Sequence, residues 1–160
     1  MALESFSRTL SVQSERPHVW DVLTNVETLA GWVGIVHSVN ELKRLERYRA
    51  VLQDKVGPFK LRADLVISVS VEEDGRRVSV SASGRDRAMD SRIKVDAVLD
   101  IGEDADCTAI SVEGSYQVTG KVATMGGGII RKKADRILDD FFENAGSSLN
   151  TPAMNGRGAN

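Results

Sequence analysis

Asp54 is the residue with the most chemical potential in this sequence. In "RYRAVLQDKVGPF" it falls in register with Tyr48, Ala50 and Leu52, which places a carboxylate on an otherwise apolar face. A carboxylate enclosed by hydrocarbon holds its proton more tightly, and can act as an acid or hydrogen-bond a ligand oxygen. The competing reading is a solvated strand end beside Lys55. His18 and His37 stand far apart, with no carboxylate or cysteine at a spacing suited to metal ligation or nucleophilic attack. Cys107, after an acidic turn, reads as a partly buried thiol without a role. "GGGIIRKK" lacks the phosphate-cradling pattern, in which Gly-Lys is followed by Ser or Thr. What remains are large or soft side chains suited to an apolar guest: Trp32, Tyr48, Met89, Tyr116 and Met125. The thioethers of Met89 and Met125 adapt to variable shapes. For each of the five, plain core packing is the alternative.

These residues must be positioned by strands. In "LRADLVISVSV", Leu61, Ala63, Leu65, Ile67, Val69 and Val71 share one face, while Arg62, Asp64, Ser68 and Ser70 share the other. That period of two marks a half-buried antiparallel strand. After Asp74-Gly75, a dipeptide suited to a tight turn, Val78, Val80 and Ala82 alternate again. Met89, Ile93, Val95, Ala97, Leu99 and Ile101 follow, then Ile110, Val112, Gly114, Tyr116 and Val118. "FSRTLSV" alternates more weakly at the start. Strands of ten or so residues span roughly 35 Å. A sheet that long, wet on one face, must curve around something to hide the other.

The filler is a helix predicted over 120–145, on which Ile130, Ala134, Ile137 and Phe141 make a stripe widened by Leu138 and Phe142. A shorter helical region, "RPHVWDVLTNVETLAGWV", opens at Pro17 and ends near Gly31. The predicted fold is α+β: about six to seven antiparallel strands curved around one C-terminal helix, with two short helices after the first strand. One helix about 10–12 Å across cannot fill so wide a concavity, which leaves an apolar space of the kind small molecules occupy. Residues 1–146 form this domain, and the small, polar stretch 147–160 reads as a disordered tail. Gly126, Gly127 and Gly128 weaken the opening turns of the helix, either to let its backbone approach the sheet or to leave room at a cavity mouth.

Composition narrows the partners. A net charge of −2 with 21 dispersed Lys and Arg argues against nucleic acid, which needs a concentrated basic face. One cysteine precludes an internal disulfide and suits a reducing, cytoplasmic setting. No secretory signal and no run of 18 apolar residues is present.

Three phrases carry a family resemblance. They are "VWDVLTNVETLAGWV", with Val19-Trp20 and Glu27-Thr28-Leu29-Ala30; "YRAVLQDKVGPF", with the Lys55-Val56-Gly57-Pro58 turn; and "GKVATMGGGIIRKKADRILDDFF", ending in Phe141-Phe142. Collinear over about residues 5 to 145, they resemble the carbon monoxide dehydrogenase accessory family CoxG, within the helix-grip, START-like (SRPBCC) superfamily. The resemblance implies a non-enzymatic carrier that binds a quinone or lipid in its cavity and serves a molybdenum carbon monoxide dehydrogenase-type enzyme. A polyketide cyclase or hydratase using the same cavity is the alternative. The tail has no amphipathic stripe, so membrane contact at the inner face is expected to be transient. The expected ligand contacts are Trp32, Tyr48, Leu52, Asp54, Leu65, Ile67, Met89, Ile93, Val95, Tyr116, Met125, Ile129 and Ile130, with no catalytic residue and no metal.

Overall fold

A computed structural model describes residues 3–56 and 58–150. Strand β1 (Glu4–Val12) leads into helices α1 (Arg16–Leu23) and α2 (Val26–Gly31). Strands β2 (Val36–Lys43), β3 (Arg47–Val56), β4 (Phe59–Glu73), β5 (Arg77–Asp86), β6 (Ser91–Asp104) and β7 (Cys107–Gly120) follow. A 3-10 turn (Val122–Met125) precedes helix α3 (Gly127–Leu149). The seven strands form one antiparallel sheet in the order β1-β7-β6-β5-β4-β3-β2. Only β1 departs from a simple meander, crossing the helices to pair with β7.

The alternation read from the sequence sets which face is buried. In β4, Leu61, Ala63 and Leu65 are buried, while Arg62, Asp64 and Ser68 are exposed. Burial then fades along the strand, and Val71 at its far end is 38% exposed. Strand β2 was not anticipated. In its sequence, VHSVNELK, only Val36 and Val39 are part-sheltered, and register shifts interrupt its pairing with β3. As the sheet's edge it buries too little to need strict alternation.

Pro17 sits in the first turn of α1, where a missing N–H costs nothing. The Asn25 side chain caps α2, accepting from the Thr28 N–H at 3.2 Å. With α3 these helices close one end of the concavity. Val12, Val19, Leu23, Trp32, Ile101, Ile110, Ala145 and Leu149 are buried there together. Trp32 meets Phe141 edge-on at 5.5 Å, and Phe141 meets Phe142 at 5.4 Å. Aromatic bulk therefore fills this end solidly.

Two boundaries differ from expectation at α3. The predicted helix over 120–145 is interrupted at Gly126, whose φ of 101° and ψ of 143° are open essentially to glycine alone. The glycines do not serve close packing, because a side chain added at Gly126, Gly127 or Gly128 would meet nothing within 4 Å. Gly126 is there for conformation. Replacing it with alanine should cost about 1–2 kcal/mol of stability. Alanine at Gly127 or Gly128 should be neutral or stabilising by up to about 1 kcal/mol. Chemical denaturation of the three variants checks this, and equal losses at all three would refute the distinction.

At its other end α3 runs past residue 146. Leu149 is fully buried, the Ser14 hydroxyl donates to its carbonyl, and the Gln13 N–H donates to Asn150 Oδ1 at 2.9 Å. Leu149 lies four residues beyond Ala145, so it continues the buried stripe. The small residues Gly146, Ser147 and Ser148 concealed that continuation in the sequence. The rest of the expected tail, 151–160, lies outside the described residues.

Candidate ligand-binding cavity

Away from the aromatic plug, the space between α3 and the sheet stays open. A cavity of about 280 Å³ lies there, lined by Phe6, Val33, Ile35, Leu52, Leu61, Ile93, Val95, Tyr116, Val118, Val122, Ile130, Lys133, Ala134, Ile137 and Leu138. A cavity of about 150 Å³ already holds benzene, so this one accepts a ring system with a short substituent. Its walls are almost entirely hydrocarbon, including the parts of Tyr116 and Lys133 that border it. A shallower depression of about 430 Å³ on the sheet's outer face is bordered by Ser68, Ser70, Ser79 and Ser81. It offers little to an apolar guest.

The elements place each wall by its periodicity. Inward positions of β6 supply Ile93 and Val95, and those of β7 supply Tyr116 and Val118. Leu61 of β4 and Leu52 of β3 come from the same face, two and three strands away from β6. Helix α3 contributes Ile130, Lys133, Ala134, Ile137 and Leu138, one stripe at i, i+3, i+4, i+7 and i+8. Phe6 enters from β1 opposite Gly114, whose absent side chain makes room: a Cβ there would lie 2.7 Å from the Phe6 ring. The Phe6 and Tyr116 rings then sit 6.4 Å apart, tilted by 34°. Val122 and Ile130 flank the Gly126 break, so the interrupted segment forms part of the wall.

Of the residues expected to contact a ligand, Leu52, Ile93, Val95, Tyr116 and Ile130 line this cavity. Trp32 belongs to the aromatic plug. Tyr48 is 2% exposed and is spent on the fold, its hydroxyl accepting from the Leu45 N–H at 2.7 Å. Leu65 and Ile67 pack with Ala50, Ala63 and Ala82 further along the sheet. Met89 packs against the cluster of Leu61, Val118, Val122 and Ile130 from outside the cavity wall. Ile129 is 45% exposed, because one residue before Ile130 lies about 100° away around the helix. Met125 closes the 3-10 turn, and its side chain is not among those described. His18 and His37 are exposed. Among the described residues no group of His, Cys, Asp or Glu could hold a metal ion.

Asp54 stands at the cavity's rim rather than on its wall. Its Oδ1 accepts from the Lys55 N–H at 2.8 Å, and its Oδ2 lies 2.8 Å from Lys133 Nζ. Oδ2 is sealed from solvent and makes no aligned hydrogen bond, so the nearby ammonium is its electrostatic compensation. Lys133 is the charged lining residue that sequence reasoning missed, and Phe6, Val33, Ile35, Leu61, Val118, Val122, Ala134, Ile137 and Leu138 were also absent from the expected contacts. For Lys133 the signal was present: it lies three residues after Ile130 and four before Ile137, on the buried side of α3. The other α3 charges turn outward. Arg131 binds Glu4 through its Nε at 3.1 Å, and this bond raises its pKa above the ordinary value. Arg8 pairs with Asp135 and Asp139 at 3.7 and 3.5 Å. Burial raises the Tyr116 pKa above 10.0, Glu4 and Asp135 add to the rise, and Arg131 opposes it. The hydroxyl therefore stays neutral and available as a donor.

The profile of the carbon monoxide dehydrogenase CoxG family matches residues 9–150. The chain belongs to that family. Its fold is the helix grip of START-like proteins. A conserved protein from Geobacillus kaustophilus superposes with a TM-score of 0.79 at 20% identity, covering 91% of this chain and 95% of that one. A START superfamily protein from Mycobacterium smegmatis gives 0.65 at 13% identity, over 91% and 96%. The di-domain ARO/CYC BexL from the BE-7585A biosynthetic pathway gives 0.63 at 13% identity, with 94% of this chain covering 51% of that one. No curated protein matches the sequence. Among the described residues of this CoxG-family chain, no helix is long and apolar enough to cross a membrane.

Proposed function

We propose that the chain is a non-enzymatic carrier that holds an apolar molecule, a quinone or a lipid, in the cavity between α3 and the sheet. The observation that carries this reading is the cavity itself: about 280 Å³, walled by hydrocarbon, in a member of the CoxG family. Its volume lies at the low end for ligand sites. A quinone ring fits inside, and an isoprenoid tail must run out along the surface. Carriage of this kind needs no acid or base, only an apolar sleeve and a route in. As an accessory to a molybdenum carbon monoxide dehydrogenase-type enzyme, such a carrier would work in the cytoplasm. It would exchange its guest with that enzyme and, in transient contact, with the inner membrane face.

Organic extraction of the purified protein followed by mass spectrometry tests the proposal. A quinone or lipid at a substantial fraction of one per chain is expected. Protein that yields no such molecule, and that binds none when mixed with quinone or lipid, would overturn the reading.

A cyclase or hydratase is the second reading, favoured by one observation: Tyr116 and Lys133 border the cavity, and Asp54 pairs with Lys133 at its rim. Against it, the Asp54 carboxylate is occupied by Lys133 and by the Lys55 N–H. Turnover of a polyketide-like substrate, abolished by Asp54→Asn, would favour this reading over the first.

A further inference from the structure

We infer that a depression on the outer face of the sheet, across β5, β6 and β7, is a binding site for a phosphate group, carried by a free metabolite or by a lipid headgroup. This face points away from α3, so the site is separate from the cavity and does not rest on the carrier reading. The depression, of about 470 Å³, is bordered by Ser83, Arg85, Arg92, Lys94, Gln117 and Thr119. Register builds it. Arg85 of β5 lies directly opposite Arg92 of β6, and Ser83 lies opposite Lys94. On the other side of β6, Thr119 and Gln117 of β7 face Arg92 and Lys94. Arg92 and Lys94 share one face of a strand about 7 Å apart, so three cations lie within reach of one ligand.

Like charges directly opposite one another weaken a sheet, and the chain keeps such a pair at Arg85 and Arg92. Among the described residues no carboxylate forms an ion pair with Arg85, Arg92 or Lys94, whereas Arg76 and Arg77 further along the same strands share Asp100. The carboxylates nearby are used elsewhere or stand apart. Asp86 is buried and accepts from the Arg62 N–H at 2.7 Å and the Met89 N–H at 3.1 Å. Asp96, the next outward position after Lys94, accepts from the Ser81 hydroxyl at 2.7 Å. Asp64 lies opposite Arg85 on β4 without pairing with it, and Arg62 beside it restores the positive charge. Arg87 and Asp90, both exposed in the β5–β6 turn, offset each other. A carboxylate guest brings one charge and two acceptor oxygens, fewer than three cations can use. A phosphate group brings nearly two charges and three acceptor oxygens. Two guanidinium forks and an ammonium can share these, with the Ser83 and Thr119 hydroxyls as further donors.

Calorimetric titration of the full chain at low ionic strength, where exposed charges are least screened, tests the site in two arms. One arm uses inorganic pyrophosphate, and the other uses vesicles of equal parts phosphatidylglycerol and phosphatidylcholine. At least one should bind the wild type, pyrophosphate with a Kd below about 1 mM and acetate at least about tenfold more weakly. Arg85→Gln and Arg92→Gln should each weaken that binding about tenfold. Arg136→Gln removes the same charge from the exposed side of α3 and should change it by less than about twofold. Binding of pyrophosphate alone supports the site with a free metabolite as its source, and binding of the vesicles alone supports it with a lipid headgroup. Binding of both supports a site open to either source. The inference is overturned if neither arm binds, or if acetate binds as tightly as pyrophosphate. It is also overturned if Arg85→Gln and Arg92→Gln bind as the wild type does, or weaken no more than Arg136→Gln, which would mark attraction by overall charge. All three substituted side chains are exposed, so the variants should fold, and the wild-type comparison with acetate decides even where one does not.

Discussion

Leu149→Ala should lower the unfolding free energy by about 3 kcal/mol. Leu149 is fully buried against Val12, Val19, Ile110 and Ala145, in the cluster that plugs one end of the sheet. Truncating its side chain removes buried hydrocarbon and opens a void among residues held by three separate elements, so the site cannot collapse to fill it. For a chain of this size the loss corresponds to a fall of about 6–12 °C in Tm. A truncation ending at Gly146 should lose more. It also removes the Leu149 carbonyl that accepts from Ser14 and the Asn150 side chain that accepts from the Gln13 N–H. Urea denaturation of both variants measures the effect. A change below about 1 kcal/mol for Leu149→Ala would mean that the last turn of α3 is not part of the folded unit.

Filling the cavity should separate binding from folding. Ala134 lies on α3 with its methyl group facing the open space. Ala134→Trp places there a ring system larger than the benzene that a cavity of about 150 Å³ accepts. Affinity for menadione should fall about 100-fold, equivalent to about 2.7 kcal/mol. Thermal stability should hold or rise, because a void is being occupied rather than created. Ile129→Ala is the matching control: its side chain is turned to solvent, and binding should be unchanged. Menadione bound equally well by Ala134→Trp and the wild type would place the ligand elsewhere, and would remove the case for this cavity as the carrying site.

Much of this was legible in the sequence because local periodicity encodes which side of an element is apolar. The alternation from Leu61 to Ile67, and again from Ile93 to Ile101, marked the inner faces of β4 and β6 without reference to any other part of the chain. The spacing of Ile130, Ala134, Ile137 and Phe141 did the same for α3. Asp74-Gly75 marked a turn by its own backbone preference. The three motif phrases, spread from Val19 to Phe142, pointed to the family that the profile match over 9–150 then showed.

Periodicity says that a residue faces inward, not what it meets there. Leu65 and Leu52 share one face of the sheet, yet one packs against Ala50 and Ala82 while the other borders the cavity. The difference depends on where α3 crosses the sheet and where Trp32, Phe141 and Phe142 cluster, and these are long-range contacts. Tyr48 looked like a ligand residue because its type suits one, but its hydroxyl is taken by a turn three residues away. The ion pair at the rim joins residues 54 and 133, which are distant in the chain and brought to 2.8 Å only by the docking of helix on sheet. The chain's local chemistry thus determined a curved sheet, its apolar lining and its helix. The hollow, its plugged end and its paired charges are products of how those pieces close upon one another, because packing is decided between elements rather than within them.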